Sequence, residues 1–351
     1  MVMTTQSGAS NQQDLDDLLE QIKARTTIFP LPPENFNPLT ASEEELEHFG
    51  YPLEPDPDRQ PALNAFWRRM YSPPLEFVSI GFAFQNIQRL TAVNHRQQAL
   101  GLRTRGQTSP NWSGAYIKPR DGQVFTEIWG QWQVPTPSVP STEVGAGHYY
   151  RCSTWIGLDG QRRYYQSSLP QIGTAQSVDG SSGTRAFSAW WQWWVRDQSI
   201  PPVNIVGLSI HAGDLIMCNL RVVLPSRNKV RFQLRNASTI SAVFEYTADA
   251  PILPIPLQVS GATAEWITER PAIFPTPILY DFPDYNTVLF SDCVAVTAPP
   301  SGGAGVERRL EGCQLIDMLE ARRPPQRTAK ISDGRLVPEN ERQVLTSRTL
   351  P

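Results

Sequence analysis

The hydrophobic pattern of the chain changes near residue 106. Beyond that point, short runs of alternating apolar and polar residues are separated by glycine and proline. In one run, Val230, Phe232 and Leu234 fall on one face of an extended strand, with Arg231 and Arg235 on the other. Many short strands punctuated by turn residues predict an all-β sandwich or barrel.

The first hundred residues follow helical spacing instead. Apolar residues predict one helix near residues 15–22 and another near residues 63–70. Ser42, followed three residues later by Glu45, forms a capping box that predicts a short helix over 42–49. Proline-rich stretches separate these segments, so the helices can bury little apolar surface among themselves.

These two patterns divide the chain. Residues 1–105 are predicted to be an N-terminal extension that lies against the next domain or is a removable prosegment. Residues 106–351 are predicted to form the β-sandwich domain. Within it, residues 321–351 are polar and basic and have no predicted placement.

Composition narrows the possible functions. The 351 residues include 32 prolines, and only 19% are charged. The net charge is -3 and no basic stripe is present, which argues against nucleic acid as a partner. We find no apolar run of membrane-spanning length and no CxxC pair, so neither a membrane partner nor a metal is predicted. Motifs for nucleotide cofactors, zinc hydrolases and serine nucleophiles are also absent, so we expect no cofactor. We also expect the protein to be a monomer. The polar N-terminus lacks a standard secretory signal, and the localisation stays open.

Two segments carry candidate polar chemistry. On a strand over 264–269, Glu265 and Glu269 share a face, where two close carboxylates could shift each other's pKa; a solvated strand balanced by Arg270 is equally compatible. Gln171 lies in the apolar setting 169–173, where a buried amide needs partners, and ordinary backbone hydrogen bonds would supply them.

Aromatic residues mark a third segment, AWWQWW over 189–194. Strand alternation places Trp190, Gln192 and Trp194 on one face and Trp191 and Trp193 on the other. Aromatic rings on both faces suggest one core face and one substrate-facing wall. They would also suit a carbohydrate binder, or packing alone.

The order and spacing of these segments resemble those of the glutamic peptidases, also called eqolisins, over roughly residues 110–320. The similarity rests on NWSGA at 111–115, WQVP at 132–135, WIGLDG at 155–160, LPQIG at 169–173, AWWQWW at 189–194, AEWITE at 264–269 and VLFSDC at 288–293.

The resemblance implies a concanavalin- or jelly-roll-like sandwich of two bent antiparallel sheets, and cleavage of polypeptide substrates at acid pH without metal or cofactor. It implies that Glu269 is the general base and that Gln171 donates to the oxyanion. It also implies substrate-binding roles for Trp155, Asp159, Trp190, Gln192, Trp194 and Glu265. Members of the family commonly carry a glutamate at the position of Gln192, so the pH profile could shift.

The sequence is also compatible with two other functions. A sandwich without catalytic activity could bind glycans through its tryptophans. A jelly-roll glycoside hydrolase could use Glu265 and Glu269 as its pair of carboxylates, which would require the two carboxyl groups to lie within about 10 Å of each other.

Overall fold

The computed structural model describes residues 7–84, 107–141, 148–161, 168–195, 200–239, 242–251, 256–274, 276–321, 328–337 and 343–348. These residues form three helices and eighteen strands, and the strands assemble into two sheets. The predicted all-β sandwich is therefore confirmed. Within the described ranges, none of the helices has both the length and the apolar character needed to cross a bilayer.

The elements are numbered along the chain. The helices are α1 Ser7–Ala24, α2 Glu43–His48 and α3 Pro61–Met70. The strands are β1 Thr26–Ile28, β2 Gly81–Phe84, β3 Gln107–Ser109, β4 Trp112–Ile117, β5 Val124–Gln133, β6 Tyr149–Leu158, β7 Leu169–Asp179, β8 Arg185–Trp194, β9 Val203–Val206, β10 Leu215–Val222, β11 Lys229–Asn236, β12 Ala242–Asp249, β13 Ala264–Glu269, β14 Thr287–Ala298, β15 Val306–Arg308, β16 Gln314–Ala321, β17 Thr328–Leu336 and β18 Val344–Arg348.

The first sheet has the strand order β1–β12–β11–β10–β5–β14–β15. The second sheet has the order β2–β9–β8–β7–β6–β13–β4–β16–β17–β18 and then returns to β14. Strand β14 joins the two sheets because residues 287–290 pair with β18 and residues 291–298 pair with β5. A register shift between Ser291 and Val294, with Asp292 at φ 51°, marks the bend. All named pairings are antiparallel except β3 with β16.

The main core lies between the two sheets. Every second residue of the strands contributes to this core. Phe232 and Leu234 of β11 face Trp191 of β8 and Trp266 of β13 in one apolar cluster. The Phe232 and Trp191 rings lie 5.5 Å apart between centroids. This packing uses one face of each sheet and leaves two outer faces.

The N-terminal extension covers the outer face of the first sheet. Phe66 and Trp67 of α3 are fully buried in a cluster with Trp129 and Val296. The α3 N-terminus is held by Glu307, whose carboxylate accepts from the backbone N–H groups of Ala62 and Leu63. The predicted capping box is present at α2, where Ser42 and Glu45 bond reciprocally.

Short strands of the extension also enlarge both sheets. Strand β1 pairs with β12 at an edge of the first sheet, and β2 pairs with β9 at an edge of the second. The described part of residues 1–105 is therefore integrated with the sandwich. The C-terminal residues without a predicted placement include β17 and β18, which extend the second sheet.

The four cysteines are all free thiols. Cys152, Cys218 and Cys293 are buried, and Cys313 is half-buried. Burial raises the pKa of the Cys152 thiol to about 12, which leaves it protonated and unreactive at neutral pH.

Candidate active site

A cleft of about 790 Å³ lies on the outer face of the second sheet. Trp155, Trp190 and Ile267 form an apolar cluster on this face, while the alternate residues Ile156, Trp191 and Trp266 belong to the main core. The cleft is lined by residues of β3, β4, β6, β7, β8, β13 and β16 and the connections between them: Gln107, Thr108, Ser109, Pro110, Asn111, Trp112, Arg151, Ser153, Gly160, Gln161, Leu169, Gln171, Trp190, Gln192, Trp194, Ile200, Pro202, Glu269, Pro271, Ala272, Phe274, Thr276 and Ile316.

Strand register fixes the relative positions of the candidate residues. Glu265, Gly157, Gln171 and Gln192 occupy one row across four neighbouring strands. Glu269 is four residues farther along β13, which is about 13 Å in an extended strand. It also lies two strand spacings, about 10 Å, from β7. The Gln171 and Glu269 side chains therefore approach a molecule in the cleft from different sides.

Glu269 is partly exposed to the cleft, and its carboxylate is held by two neighbours. Asn111 Nδ2 donates to Oε1 at 3.0 Å, and Trp155 Nε1 donates to Oε2 at 2.8 Å. Burial raises the pKa of Glu269 to about 7, although these hydrogen bonds and the positive charge of Arg151 act in the opposite direction. Such a carboxyl group can take up or release a proton near neutral pH.

Gln171 belongs to a directed chain of amides. Gln192 Nε2 donates to the Ile200 carbonyl oxygen at 2.6 Å, so Gln192 must present its own oxygen to Gln171. Gln171 Nε2 donates to that oxygen at 2.9 Å. The amide of Gln171 is thereby oriented with one further N–H available, and its buried Oε1 accepts no hydrogen bond from the described residues.

The tryptophans of the aromatic strand divide between the two faces as alternation predicts. Trp190 and Trp194 line the cleft with Gln192, while Trp191 and Trp193 belong to the main core. Trp155 is fully buried below the cleft, where its indole positions Glu269 and packs edge-on against Trp112 at 5.1 Å. A direct contact between Trp155 and substrate is therefore not supported by its position.

Glu265 and Asp159 do not line the cleft, which differs from the substrate-binding roles that the resemblance implies. Glu265 is fully buried, and its Oε1 accepts from Gln161 Nε2 at 3.0 Å and Thr263 Oγ1 at 3.1 Å. Burial raises the pKa of Glu265 well above the ordinary value, which favours its neutral form. Its absence from the cleft wall also removes the support for a Glu265/Glu269 glycosidase pair.

Asp159 instead fixes a loop. It has a positive φ of 68°, and its carboxylate accepts from Ser260 N at 2.6 Å and Ala262 N at 2.8 Å. These bonds tie the end of β6 to the residues that lead into β13. Asp159 thus helps to align the strands that carry the cleft residues.

Asn111 and Arg151 are cleft residues that act on Glu269 and were not assigned from the sequence. Asn111 follows Pro110 just before β4 and bonds directly to Glu269. Arg151 precedes Trp155 by four residues on β6, so strand alternation places both on the same face. That spacing could have indicated from the sequence that Arg151 is a cleft residue.

Comparison with known families settles the class of the protein. Residues 110–336 match the model of the Peptidase A4 family, and this range holds every strand from β4 to β17. The chain belongs to this family of glutamic peptidases. It is accordingly a hydrolase of the glutamic endopeptidase type, and its substrates are polypeptides.

Three solved structures are similar to the chain. One is scytalido-glutamic peptidase with a transition-state analogue inhibitor: identity is 19%, TM-score 0.49, and coverage 68% of this chain and 98% of the other. SCP-B, an eqolisin in complex with the tripeptide Ala-Ile-His, has 18% identity, TM-score 0.46 and the same coverage. Aspergilloglutamic peptidase from Aspergillus niger has 17% identity, TM-score 0.42 and covers 57% of this chain and 99% of its own. No curated protein sequence matches the chain.

Proposed function

We propose that the chain cleaves internal peptide bonds with Gln171 and Glu269 as a catalytic dyad and water as the nucleophile. The observation that carries the proposal is that both side chains line the same cleft, each held by neighbours that fix its orientation. Among the described residues, no cluster of histidine, cysteine and carboxylate side chains could hold a metal ion.

The proposed reaction uses water because neither side chain is a strong nucleophile. Ionised Glu269 removes a proton from water as the water oxygen attacks the substrate carbonyl carbon. The carbonyl oxygen becomes an oxyanion and accepts a hydrogen bond from the free N–H of Gln171. Protonated Glu269 then transfers its proton to the leaving nitrogen as the C–N bond breaks, which returns Glu269 to its ionised form.

The hydrogen bonds around the dyad support these roles. Gln192 and the Ile200 carbonyl orient the Gln171 amide before substrate binds, so little reorganisation is needed when the oxyanion forms. Asn111 and Trp155 stabilise the ionised form of Glu269 in a buried setting. Trp190 and Trp194 offer apolar surface for substrate side chains along the same wall.

The pKa of Glu269 sets the proposed pH range. With a pKa of about 7 in the free enzyme, the ionised fraction falls about tenfold for each pH unit below neutrality. The resemblance implies acid activity, whereas burial of Glu269 favours an acid limb of kcat/KM near neutral pH. We therefore propose activity in the mildly acidic to neutral range, with a decline in stronger acid.

The test compares purified wild type with Glu269→Gln, Gln171→Ala and Glu265→Gln in digestion of an unfolded protein across pH 2–9. We expect Glu269→Gln to lower kcat/KM by at least about 10²–10⁴. Gln171→Ala should lower it by about 10²–10³, the usual effect of losing one oxyanion donor.

Glu265→Gln is the matched control from the same strand face. Because Glu265 is buried and burial favours its neutral form, the amide replaces a group of similar shape, and activity should persist. Chelators should have no effect on the wild type. Full activity of Glu269→Gln, or loss of activity in Glu265→Gln with the fold intact, would rule out this dyad.

A further inference from the structure

Arg151 introduces a positive charge that acts on Glu269 but forms no ion pair with the described residues of the cleft. Among the described lining residues, Arg151 and Glu269 are the only charged ones. On β6, Ser153 pairs with Glu269, and Arg151 is the next residue of β6 on the same face of the sheet. That step is about 7 Å along a strand. It leads away from the row that contains Gln171.

The surroundings of Arg151 leave its guanidinium without an ionic partner. Its Cζ lies 5.6 Å from the ring centroid of Tyr280, and its buried Nε makes no hydrogen bond to the described residues. Within that same part of the chain, no carboxylate oxygen lies within 4.0 Å of its nitrogens.

Each nearby carboxylate is engaged elsewhere. Asp281 Oδ2 is 2.6 Å from His148 Nδ1, and Asp281 Oδ1 lies 4.0 Å from Arg270. Glu269 is held by Asn111 and Trp155. The charged or titratable groups around Arg151 are therefore Glu269, Asp281, His148, Arg270 and the more distant Arg348, which acts with Arg151 on Cys152.

We propose that Arg151 forms a substrate subsite for a carboxylate, on the Glu269 side of the scissile bond and within two residues of it. This inference rests on the proposed function. The carboxylate can be an aspartate or glutamate side chain, or the C-terminal carboxylate of a short peptide, because a guanidinium binds either with two parallel N–H···O bonds. Tyr280 supports the flat guanidinium from one side, which limits its orientations.

The preference has a defined pH dependence. A substrate glutamate is ionised only above about pH 4.3. Between pH 5 and 7, an acidic residue at this subsite should be preferred over its amide. At pH 3, where little cleavage remains, the two peptides should bind equally, because the substrate carboxyl group is then neutral while Arg151 stays charged.

Matched quenched peptides test the subsite. Each pair carries Glu or Gln at one of the two positions on either side of the scissile bond, and each is made with a free or an amidated C-terminus. Wild type at pH 6 should prefer Glu at one position by about tenfold or more in kcat/KM, the size expected for a charge-assisted hydrogen bond. A preference that follows the free C-terminus instead identifies the terminal carboxylate as the ligand.

Variants separate binding from structure. Arg151→Gln should remove the preference while still cleaving the Gln peptide, Arg151→Lys should keep part of it, and exposed Arg120→Gln should keep all of it. A wild type that cleaves Glu and Gln peptides equally at every position and with both termini, or an Arg151→Gln variant that keeps the preference, would overturn the subsite.

Peptide binding to Glu269→Gln keeps the two proposals distinguishable. This variant should bind the Glu peptide more tightly than the Gln peptide by about the same factor, measured by tryptophan fluorescence. Equal binding overturns the Arg151 subsite whatever the catalytic result. If Glu269→Gln still cleaves, the dyad is wrong, and the Arg151 preference is then read directly from its cleavage rates.

Discussion

The outer faces of the two sheets are covered in different ways. On the first sheet, Gln233 and Arg235 of β11 point away from the core and are buried under the N-terminal extension. Tyr71 donates its hydroxyl to Gln233, and Arg235 donates to the backbone carbonyls of Arg69 and Met70. On the second sheet, Gln171, Gln192 and Arg151 face an open cleft.

The difference lies in what the polar groups contact, and not in how polar each face is. Both faces carry amides and an arginine on strands with similar alternation. On the first sheet Arg235 donates through Nη1 to backbone carbonyls and is covered by the extension, whereas the guanidinium of Arg151 makes no side-chain hydrogen bond to the described residues and lines a cleft. Because Arg235 Nε also makes no hydrogen bond to the described residues, a polar residue on a strand indicates a binding site only when it is both unpaired and open to a cleft.

Removal of residues 1–77 is the strongest test of this comparison. The truncation would expose the outer face of the first sheet, including Trp129 and Val296, and would leave Arg235 without its acceptors. Because the total stability of a domain is only about 5–15 kcal/mol, we expect the truncated protein to be unfolded or insoluble.

The same experiment bears on the prosegment hypothesis, which stays a prediction. None of the described residues in 7–84 lines the cleft, so these contacts favour retention of the segment in the active protein. A truncated protein that folds cooperatively and keeps activity would support removal instead. Circular dichroism and the digestion assay provide the two readouts.

A pair of tryptophan substitutions compares the faces at single positions. Trp67→Ala on the covered face should cost about 3–5 kcal/mol of unfolding free energy, because the ring is fully buried and its Nε1 donates to the Pro52 carbonyl. Trp194→Ala in the cleft should cost much less, because its ring is only half-buried, yet it should raise KM. Denaturant unfolding and steady-state kinetics of both variants check this. Equal losses of stability would contradict the distinction between the two faces.

The sequence predicts the faces but not their covering. Alternation alone assigns Trp190 and Gln192 to one side of β8 and Trp191 to the other, because the side-chain period of a strand is two. It also gives Gln233 and Arg235 a common face. Which segment then covers that face depends on contacts across more than 150 residues, as between Arg235 and Met70, and no local pattern encodes them.

Long-range geometry likewise explains why Glu265 and Asp159 lie outside the cleft. Glu265 and Glu269 share a strand face and a motif. Glu265 is nevertheless buried and bonded to Gln161, whereas Glu269 lines the cleft as the proposed base. Asp159 sits in a turn sequence that does not reveal its contacts with Ser260 and Ala262, about a hundred residues away.

Glu269→Gln also sharpens the comparison through stability. The folded-state pKa of Glu269, about 7, lies above its ordinary value of 4.5. Its contribution to stability is therefore fully present below pH 4.5 and is lost as pH rises through 7. Above pH 8 the buried negative charge destabilises the wild type by up to about 3 kcal/mol, at 1.36 kcal/mol per pKa unit.

In Glu269→Gln, the neutral amide removes the destabilisation that the ionised carboxylate causes above pH 8. We expect Glu269→Gln to unfold at a higher temperature than wild type at pH 8.5 and to differ little at pH 4. Thermal unfolding at the two pH values measures the effect, with Glu76→Gln, at an exposed carboxylate outside the cleft, as the control. A difference that is independent of pH would show that the pKa of Glu269 is not raised.

Gln192→Glu should produce the smallest effect, and its direction is specific. While neutral, the introduced carboxyl group can still donate to the Ile200 carbonyl and accept from Gln171, so below its ordinary pKa of about 4.3 kcat/KM should be close to that of wild type at the same pH. Once ionised, it would place a second acceptor against that carbonyl and add a negative charge to the cleft. Like charges disfavour ionisation, so the pKa of Glu269 should rise.

The size of that shift follows from distance. Gln192 lies three strand spacings and four residues from Glu269, and charges about 15–20 Å apart across a partly hydrated cleft interact by well under 1 kcal/mol. The acid limb of kcat/KM should therefore move up by a few tenths of a pH unit. Gln192→Ala is the control: it removes the support of Gln171 without adding charge, and should lower activity equally at all pH values. A downward shift of the limb in Gln192→Glu would mean that the residue acts on Glu269 through something other than its charge.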